Sequence, residues 1–386
     1  MKKCTKNIIA LCCAAVITVA AAFGAVALDR ALFREDNVEW VEPEDQAIRV
    51  SLFTEPVSLV HTIAQTFMDS PDCNAAEFYE QNNTGVRMDI GAPVELPYAL
   101  VGAEKVIVSS ARFMVADNKA MKNAQVYEDT ELLGSVQIWN LNSNTQYYYK
   151  GTIFLSNTGT QTIEVSGSFK TADTPRMLNV DGLVNVRDFG GRKTVDGQRI
   201  KQNLLYRGSE MDGSVEEAYA ITADGVDTML NDLKIKTDMD LRTKHNDTGV
   251  LPLGQGVERT FYEMVAYEDC FTMRGENLVR KVFVQLADKN NYPTYLHCTY
   301  GLDRTGTVCY LLGALLGMSE EDLETDYRLS ALALGRLTED AYGEFKTKLA
   351  TYEGETLQEK TENYLLSAGV TEQEIAAIRA IFLEKE

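Results

Sequence analysis

Positive charge is scarce in this chain: 37 Lys and Arg stand against 57 Asp and Glu, a formal net charge of −20. Such a surface repels phosphodiester backbones, which excludes nucleic acid and an anionic membrane surface as partners. A small phosphate ligand stays open, because the field inside one pocket is local. Histidine is scarcer still, three in 386 residues, and no Cys-x-x-Cys or histidine-rich spacing occurs. The sequence therefore gives no reason to expect a metal site, and the expected cofactor is none. Cys4, Cys12 and Cys13 sit in the first 28 residues, and the others (Cys73, Cys270, Cys298 and Cys309) are too scattered to read as a disulfide framework.

Charge of either sign is missing from Asn7 to Leu28, just after Lys2, Lys3 and Lys6, and Ala25-Val26-Ala27 offers a cleavage site. Residues 1–28 therefore read as a signal peptide. The 22 uncharged residues are also long enough to span a bilayer, so an uncleaved membrane anchor remains the alternative. Either way the bulk of the chain is expected outside the cytoplasm, secreted or at the cell surface.

The composition is ordinary for a globular protein, 45% hydrophobic and 24% charged, and the length is enough for two or three domains. Between residues 45 and 172 the character is β. Val106 to Val115, Ser135 to Trp139, Gln146 to Leu155 and Gln161 to Phe169 are β-branched or aromatic runs separated by turn residues, which predicts an all-β sandwich. Thr54 to Pro97 reads as irregular, with a helical turn or two at His61 to Met68. Ala172-Asp173-Thr174-Pro175 is a hinge. From 174 to 386 strands and helices alternate, which predicts an α/β domain with a mainly parallel sheet covered by helices. Strands are expected at Leu204 to Tyr206, Lys236 to Leu241, Glu258 to Met264 and Tyr295 to His297, and helices at Ser214 to Ile221 and Leu278 to Ala287. Ser319 with Asp322, and Thr371 with Glu374, fit helix-starting capping boxes.

One stretch carries chemistry: Tyr295-Leu296-His297-Cys298-Thr299-Tyr300-Gly301-Leu302-Asp303-Arg304-Thr305-Gly306. An apolar strand precedes it and an apolar helix, Thr307 to Met318, comes after. A strand-to-helix loop gathers backbone N–H groups at the positive end of a helix dipole, where an anion can sit. Cys298 in that field is favoured as thiolate, a nucleophile. Arg304 can hold two phosphate oxygens in its planar fork. Thr305 offers a hydroxyl to the sulfur, and Gly301 and Gly306 relieve crowding where the backbone bends around a ligand. His297 is expected to orient the loop by hydrogen bonds.

The stretch His297 to Gly306 resembles the phosphate-binding loop of cysteine-dependent protein tyrosine phosphatases, in the bacterial branch with an Asp-Arg-Thr-Gly ending. Asn185-Val186-Arg187-Asp188-Phe189-Gly190-Gly191, Leu205-Tyr206-Arg207-Gly208-Ser209 and Asp240-Leu241-Arg242-Thr243 precede it in that family's order, and the resemblance spans roughly Thr174 to Glu386. It implies a phosphatase working through a phosphocysteine. Thr299, Tyr300, Gly301, Leu302 and Gly306 would line the loop, and Arg187, Asp188, Arg207, Asp240 and Arg242 would brace it. The resemblance makes Asp303 the main candidate for general acid, with Asp240 and Asp269 as rivals. Separately, Leu141 to Tyr149 and Phe169-Lys170-Thr171 resemble the fibronectin type III pattern, with Tyr147 as its corner tyrosine.

The expected partner is a phosphorylated protein or a small phosphomonoester; no partner is legible for the β region. From Thr174 onward 24 Lys and Arg face 36 Asp and Glu, a net −12, and Leu302 stands where some lipid-active relatives carry lysine. Both tilt the expectation toward phosphotyrosine over phosphoinositides or inositol phosphates. Two further alternatives are a module that binds phosphorylated ligands without turning them over, and a surface adhesin whose function resides in the β region. Cys270 is a candidate redox partner for Cys298, with an inert role favoured.

Overall fold

The computed structural model describes residues 38–41, 48–70, 73–82, 87–100, 108–155, 162–335 and 342–385. The expected signal peptide or anchor at 1–28 lies outside the described residues. No helix among them is long and apolar enough to cross a membrane.

Eight strands come first: β1 (Val38–Val41), β2 (Ile48–Phe53), β3 (Val94–Leu100), β4 (Val108–Ala116), β5 (Gln125–Asp129), β6 (Ser135–Ile138), β7 (Gln146–Leu155) and β8 (Thr162–Lys170). They form two four-stranded antiparallel sheets, ordered β1-β2-β3-β6 and β5-β4-β7-β8. One apolar cluster joins them, with Val94, Leu96 and Ile138 from the first and Phe113, Tyr149 and Ile153 from the second. Strict alternation along β7, exposed Gln146 then buried Tyr147, is what a half-buried strand requires. The Tyr147 hydroxyl accepts the Asn142 N–H at 2.9 Å.

The helical turn expected at His61 to Met68 is α1 (Thr62–Met68), but the rest of Thr54 to Pro97, expected to be irregular, also holds a second short helix, α2 (Ala75–Asn82), and most of β3. Their apolar residues, Ala64, Phe67 and Phe78, pack on Leu329 and Leu332 of a later helix. Helices this short are stabilised by tertiary packing, so local pattern under-reports them.

The remaining five strands, β9 (Arg187–Asp188), β10 (Leu205–Gly208), β11 (Thr237–Asp240), β12 (Glu258–Phe261) and β13 (Thr294–His297), form one sheet ordered β12-β11-β13-β10-β9. All are parallel except β9 at the edge. The central strand, β13, is buried at every position, as expected for a parallel strand covered on both faces. Among the described residues seven α-helices follow: α3 (Ala223–Asp227), α4 (Met273–Leu286), α5 (Asp303–Leu316), α6 (Glu320–Leu334), α7 (Gly343–Leu349), α8 (Leu357–Ser367) and α9 (Glu372–Phe382). From Thr305 to its end α5 is buried on all sides, which explains its lack of a polar face. It stops at Gly317 in the left-handed conformation, φ 88°.

Ser214 to Ile221 is not the expected helix. Only a 3-10 turn forms there, Glu217–Tyr219, because the backbone is extended on both sides of it, at Glu216 and Ala220, where the Ile221 N–H donates back to Met211 O at 2.9 Å and Ala220 bridges Asp212. Ser319 caps α6 through the Asp322 N–H, and Thr371 with Glu374 forms a reciprocal capping box.

Candidate active site

Cys298 comes directly after β13 and is buried, 1% exposed. The loop continues through Leu302 into α5. Its shape is set from outside by donors that take its carbonyls in turn. The Glu210 N–H donates to Thr299 O at 3.0 Å, Asn185 Nδ2 to Tyr300 O at 3.1 Å and Gly301 O at 3.3 Å, and Arg207 Nη2 to Gly301 O. In a trans peptide the C=O and the following N–H point in opposite directions. Holding these carbonyls outward therefore turns the N–H groups of Tyr300, Gly301 and Leu302 to the other side of the loop. Gly301 is obligatory on two counts: its φ is +66°, and a Cβ there would lie 2.3 Å from Gly208 O.

Arg304, in the first turn of α5, is half-buried. Among the described residues its guanidinium makes two long contacts, 3.5 Å to Leu241 O and 3.5 Å to Thr299 Oγ1, and no ion pair with a carboxylate. Thr305 Oγ1 is buried without a hydrogen-bond partner among the described residues. Asp303 opens α5 and accepts the Tyr267 hydroxyl at 2.5 Å, while Tyr267 is 2.9 Å from the Tyr327 hydroxyl. Burial, and then the bond to Asp303, push the Tyr267 pKa far above its ordinary value. Of the rival acids, Asp240 is clamped by Arg242 at 2.8 Å and Arg259 at 2.6 Å. Asp269 is exposed on the 3-10 turn Tyr267–Phe271.

Every other arginine singled out in the sequence is spent on a carboxylate. Arg187 Nε is 2.7 Å from Asp326 Oδ1, and Arg207 meets the other oxygen of the same carboxylate. Burial would raise the Asp326 pKa, yet the charges of Arg187 and Arg207 outweigh it and hold the group ionised. Arg242 bridges Asp240, Glu210 at 2.9 Å and Asp212 at 2.6 Å. Asp188 pairs with Arg176 at 2.8 Å and accepts the Gly190 N–H. His297 Nε2 lies 2.8 Å from Asp238 Oδ1, with Nδ1 3.2 Å from Cys298 O. Burial disfavours the imidazolium, but Asp240 and Asp238 together lift its pKa to about 9.

Several contributors escape sequence reasoning. Asn185 opens the Asn-x-Arg-Asp block, but nothing local to it announces a hold on a loop more than a hundred residues away. Glu210 and Asp212 directly follow the Tyr206 to Ser209 block and are visible by adjacency. Asp326, Asp238 and Tyr267 carry no local signal, since their partners are distant in sequence. Cys270 and Cys309 are free and buried, and burial raises their pKa values to about 12 and about 11. A cleft of about 450 Å³ opens elsewhere, between Trp139 and Asn140 on one side and Tyr206 and Lys234 on the other. The Cys298 loop does not line it.

The arrangement is a cradle for an oxyanion: inward N–H groups, a guanidinium without a carboxylate partner among the described residues, and a buried thiol at one strand end. Residues 178–384 match the family model described as "Tyrosine phosphatase family". Among solved structures, the core catalytic domain of PP-IP phosphatase SIW14 from S. cerevisiae with citrate is 17% identical, with a TM-score of 0.26, covering 43% of this chain and 84% of that one. A second structure of the Siw14 catalytic core is 17% identical, with a TM-score of 0.29, covering 42% and 88%. No curated protein matches the chain.

Proposed function

The chain belongs to the tyrosine phosphatase family, and from that premise we propose that it hydrolyses phosphomonoesters, phosphotyrosine first among them, through Cys298. The observation that carries this reading is that Arg304 has no carboxylate partner among the described residues while every other arginine named around the loop has one. A guanidinium left unneutralised beside a ring of N–H groups is a site held ready for an anion.

Cys298 Sγ attacks phosphorus in line, and the phosphorus–oxygen bond to the leaving group breaks. Arg304 and the loop N–H groups hold the equatorial oxygens, where charge is spread in the transition state. Asp303 gives its proton to the leaving oxygen. Water then attacks the phosphocysteine, Asp303 takes the water's proton, and Thr305 Oγ1 donates to the departing sulfur. Tyr300 lies at the rim, its hydroxyl 2.6 Å from Glu216 and its ring 6.0 Å from Tyr219, edge to face. That aromatic wall suits an aryl phosphate.

A phosphoinositide or inositol-phosphate substrate is the second reading. It rests on Lys244, exposed two residues past Arg242 and without an ion pair among the described residues. Rates on a phosphotyrosyl peptide and on phosphoinositides separate the two; a strong lipid preference overturns the first. The chemistry is tested by metal-free hydrolysis of an aryl phosphate. Cys298→Ser should abolish turnover, and Asp303→Ala should lower it by roughly 10²–10⁴. Full activity in Cys298→Ser ends the proposal.

For the rest of the chain, residues 174–386 are proposed as the catalytic domain. Residues 45–172 are proposed as a fibronectin type III-like module, supported by the Tyr147 hydroxyl bonding back to Asn142 N. Residues 1–28 are proposed to export the protein.

A further inference from the structure

We propose that Asp89, outside the span that the family model matches, is a positioning residue for the phosphate-binding loop, acting through Asn185. The inference rests on the phosphatase reading of that loop.

Asn185 is the junction. Its side chain holds two successive loop carbonyls, Tyr300 O and Gly301 O. Its backbone is left-handed, φ 60°, a conformation that costs a non-glycine residue free energy unless its surroundings impose it. Those surroundings are two. Arg187 Nη1 donates to Asn185 Oδ1, which leaves the amide nitrogen facing the loop. On the other side the buried Asn185 N–H donates to Asp89 Oδ2 at 2.6 Å.

Asp89 is itself fixed. It is 4% exposed, and Arg87 grips it with two bonds, Nε to Oδ1 at 3.1 Å and Nη2 to Oδ2 at 2.7 Å. Arg87 Nη2 also donates to Leu183 O at 2.6 Å, two residues before Asn185. The segment is anchored by Met88, which packs in the cluster holding Leu329 and Leu332 of α6. At its end, Ala92 N–H donates to Leu59 O at 2.9 Å. Without the Asp89 carboxylate the Asn185 N–H is buried with no acceptor, a penalty that favours a shift of Asn185 away from the loop. Glu210 N and Arg207 still hold Thr299 O and Gly301 O, so the loop loosens without collapsing.

The test uses the full chain, with orthovanadate affinity by calorimetry, kcat and KM on an aryl phosphate, and melting temperature. Asp89→Ala is expected to raise the vanadate Kd about tenfold, and KM with it. Asn185→Ala should do the same, and the double variant should be no worse than Asn185→Ala, because both changes cut one path. An unchanged Kd in Asp89→Ala with a lowered melting temperature, or additive losses in the double variant, would overturn the inference. Hydrogen exchange on the unsubstituted protein tests it without any variant. Vanadate should protect peptides covering 87–92 together with those covering 299–302, and protection confined to the loop overturns it. Arg304→Ala separates this inference from its premise. If that variant keeps vanadate affinity, the phosphate-loop reading fails; if it loses affinity while Asp89→Ala does not, only the role of Asp89 fails.

Discussion

The two antiparallel sheets and the parallel sheet solve burial differently. Between Val94 and Lys170 the buried groups are overwhelmingly apolar and aromatic, and the one buried carboxylate among the described residues there, Asp129, is answered by Tyr98 Oη at 2.7 Å and by the Leu133 and Gly134 N–H groups. From Arg176 onward four arginines (176, 187, 207 and 242) are buried with Asp188, Glu210, Asp238, Asp240 and Asp326. Desolvating an ion pair costs about as much as the pairing returns, so such networks contribute little net stability. What they do supply is direction. The Arg207 guanidinium holds Gly301 O, so charge buried beside the parallel sheet places backbone atoms around a ligand. The rings buried in the antiparallel sheets only hold those sheets together.

The largest effects should fall on cutting one element from each side of this contrast. Asp326→Ala leaves Arg187 and Arg207 buried and unpaired, an expected loss of about 3–5 kcal/mol. It should lower kcat/KM as well, since Arg207 would release Gly301 O. Phe113→Ala, in the fully buried centre of β4, should cost a similar ~3–5 kcal/mol yet leave kcat/KM per folded molecule near its original value. Thermal unfolding followed beside activity distinguishes them, and equal loss of activity in both variants would erase the contrast.

A smaller effect comes from His297. Its folded pKa, about 9, lies above the ordinary 6.5, so its contribution to stability is complete below about pH 6.5 and is lost as pH rises through 9. Melting temperature should therefore fall across that window, and His297→Gln should flatten the fall. A slope unchanged in His297→Gln would assign it to other groups. The smallest effect belongs to Arg112 and Glu128, paired at 2.6 Å on the antiparallel surface with side chains 53% and 43% exposed. Arg112→Ala should cost less than about 1 kcal/mol, and a larger loss would mean that charge matters in that region too.

How much of this is legible beforehand depends on sequence distance. The strand, loop and helix from Thr294 to Leu316 are contiguous, and their hydrophobic pattern and glycines announce them, although α5 begins at Asp303 rather than Thr307. The helix expected at Ser214 to Ile221 fails because its ends are held extended by pairing back across the turn, the Ile221 N–H to Met211 O and Ala220 to Asp212. Thr54 to Pro97 misleads in the opposite sense. The helical turn at His61 to Met68 is read correctly, but α2 is too short to show a period and exists by packing on α6.

By itself the order of residues determined the family, the alternation of strands and helices after the hinge, and the grouping of Cys298, Arg304 and Thr305 on one turn of chain, because each depends on neighbours a few positions apart. Only the folded chain decided which arginine stays unpaired, which carboxylates neutralise the rest, and that Asp89 reaches Asn185 across 96 positions. Those outcomes depend on where distant segments meet, in a medium so poor in water that each buried charge or N–H left without a partner costs free energy.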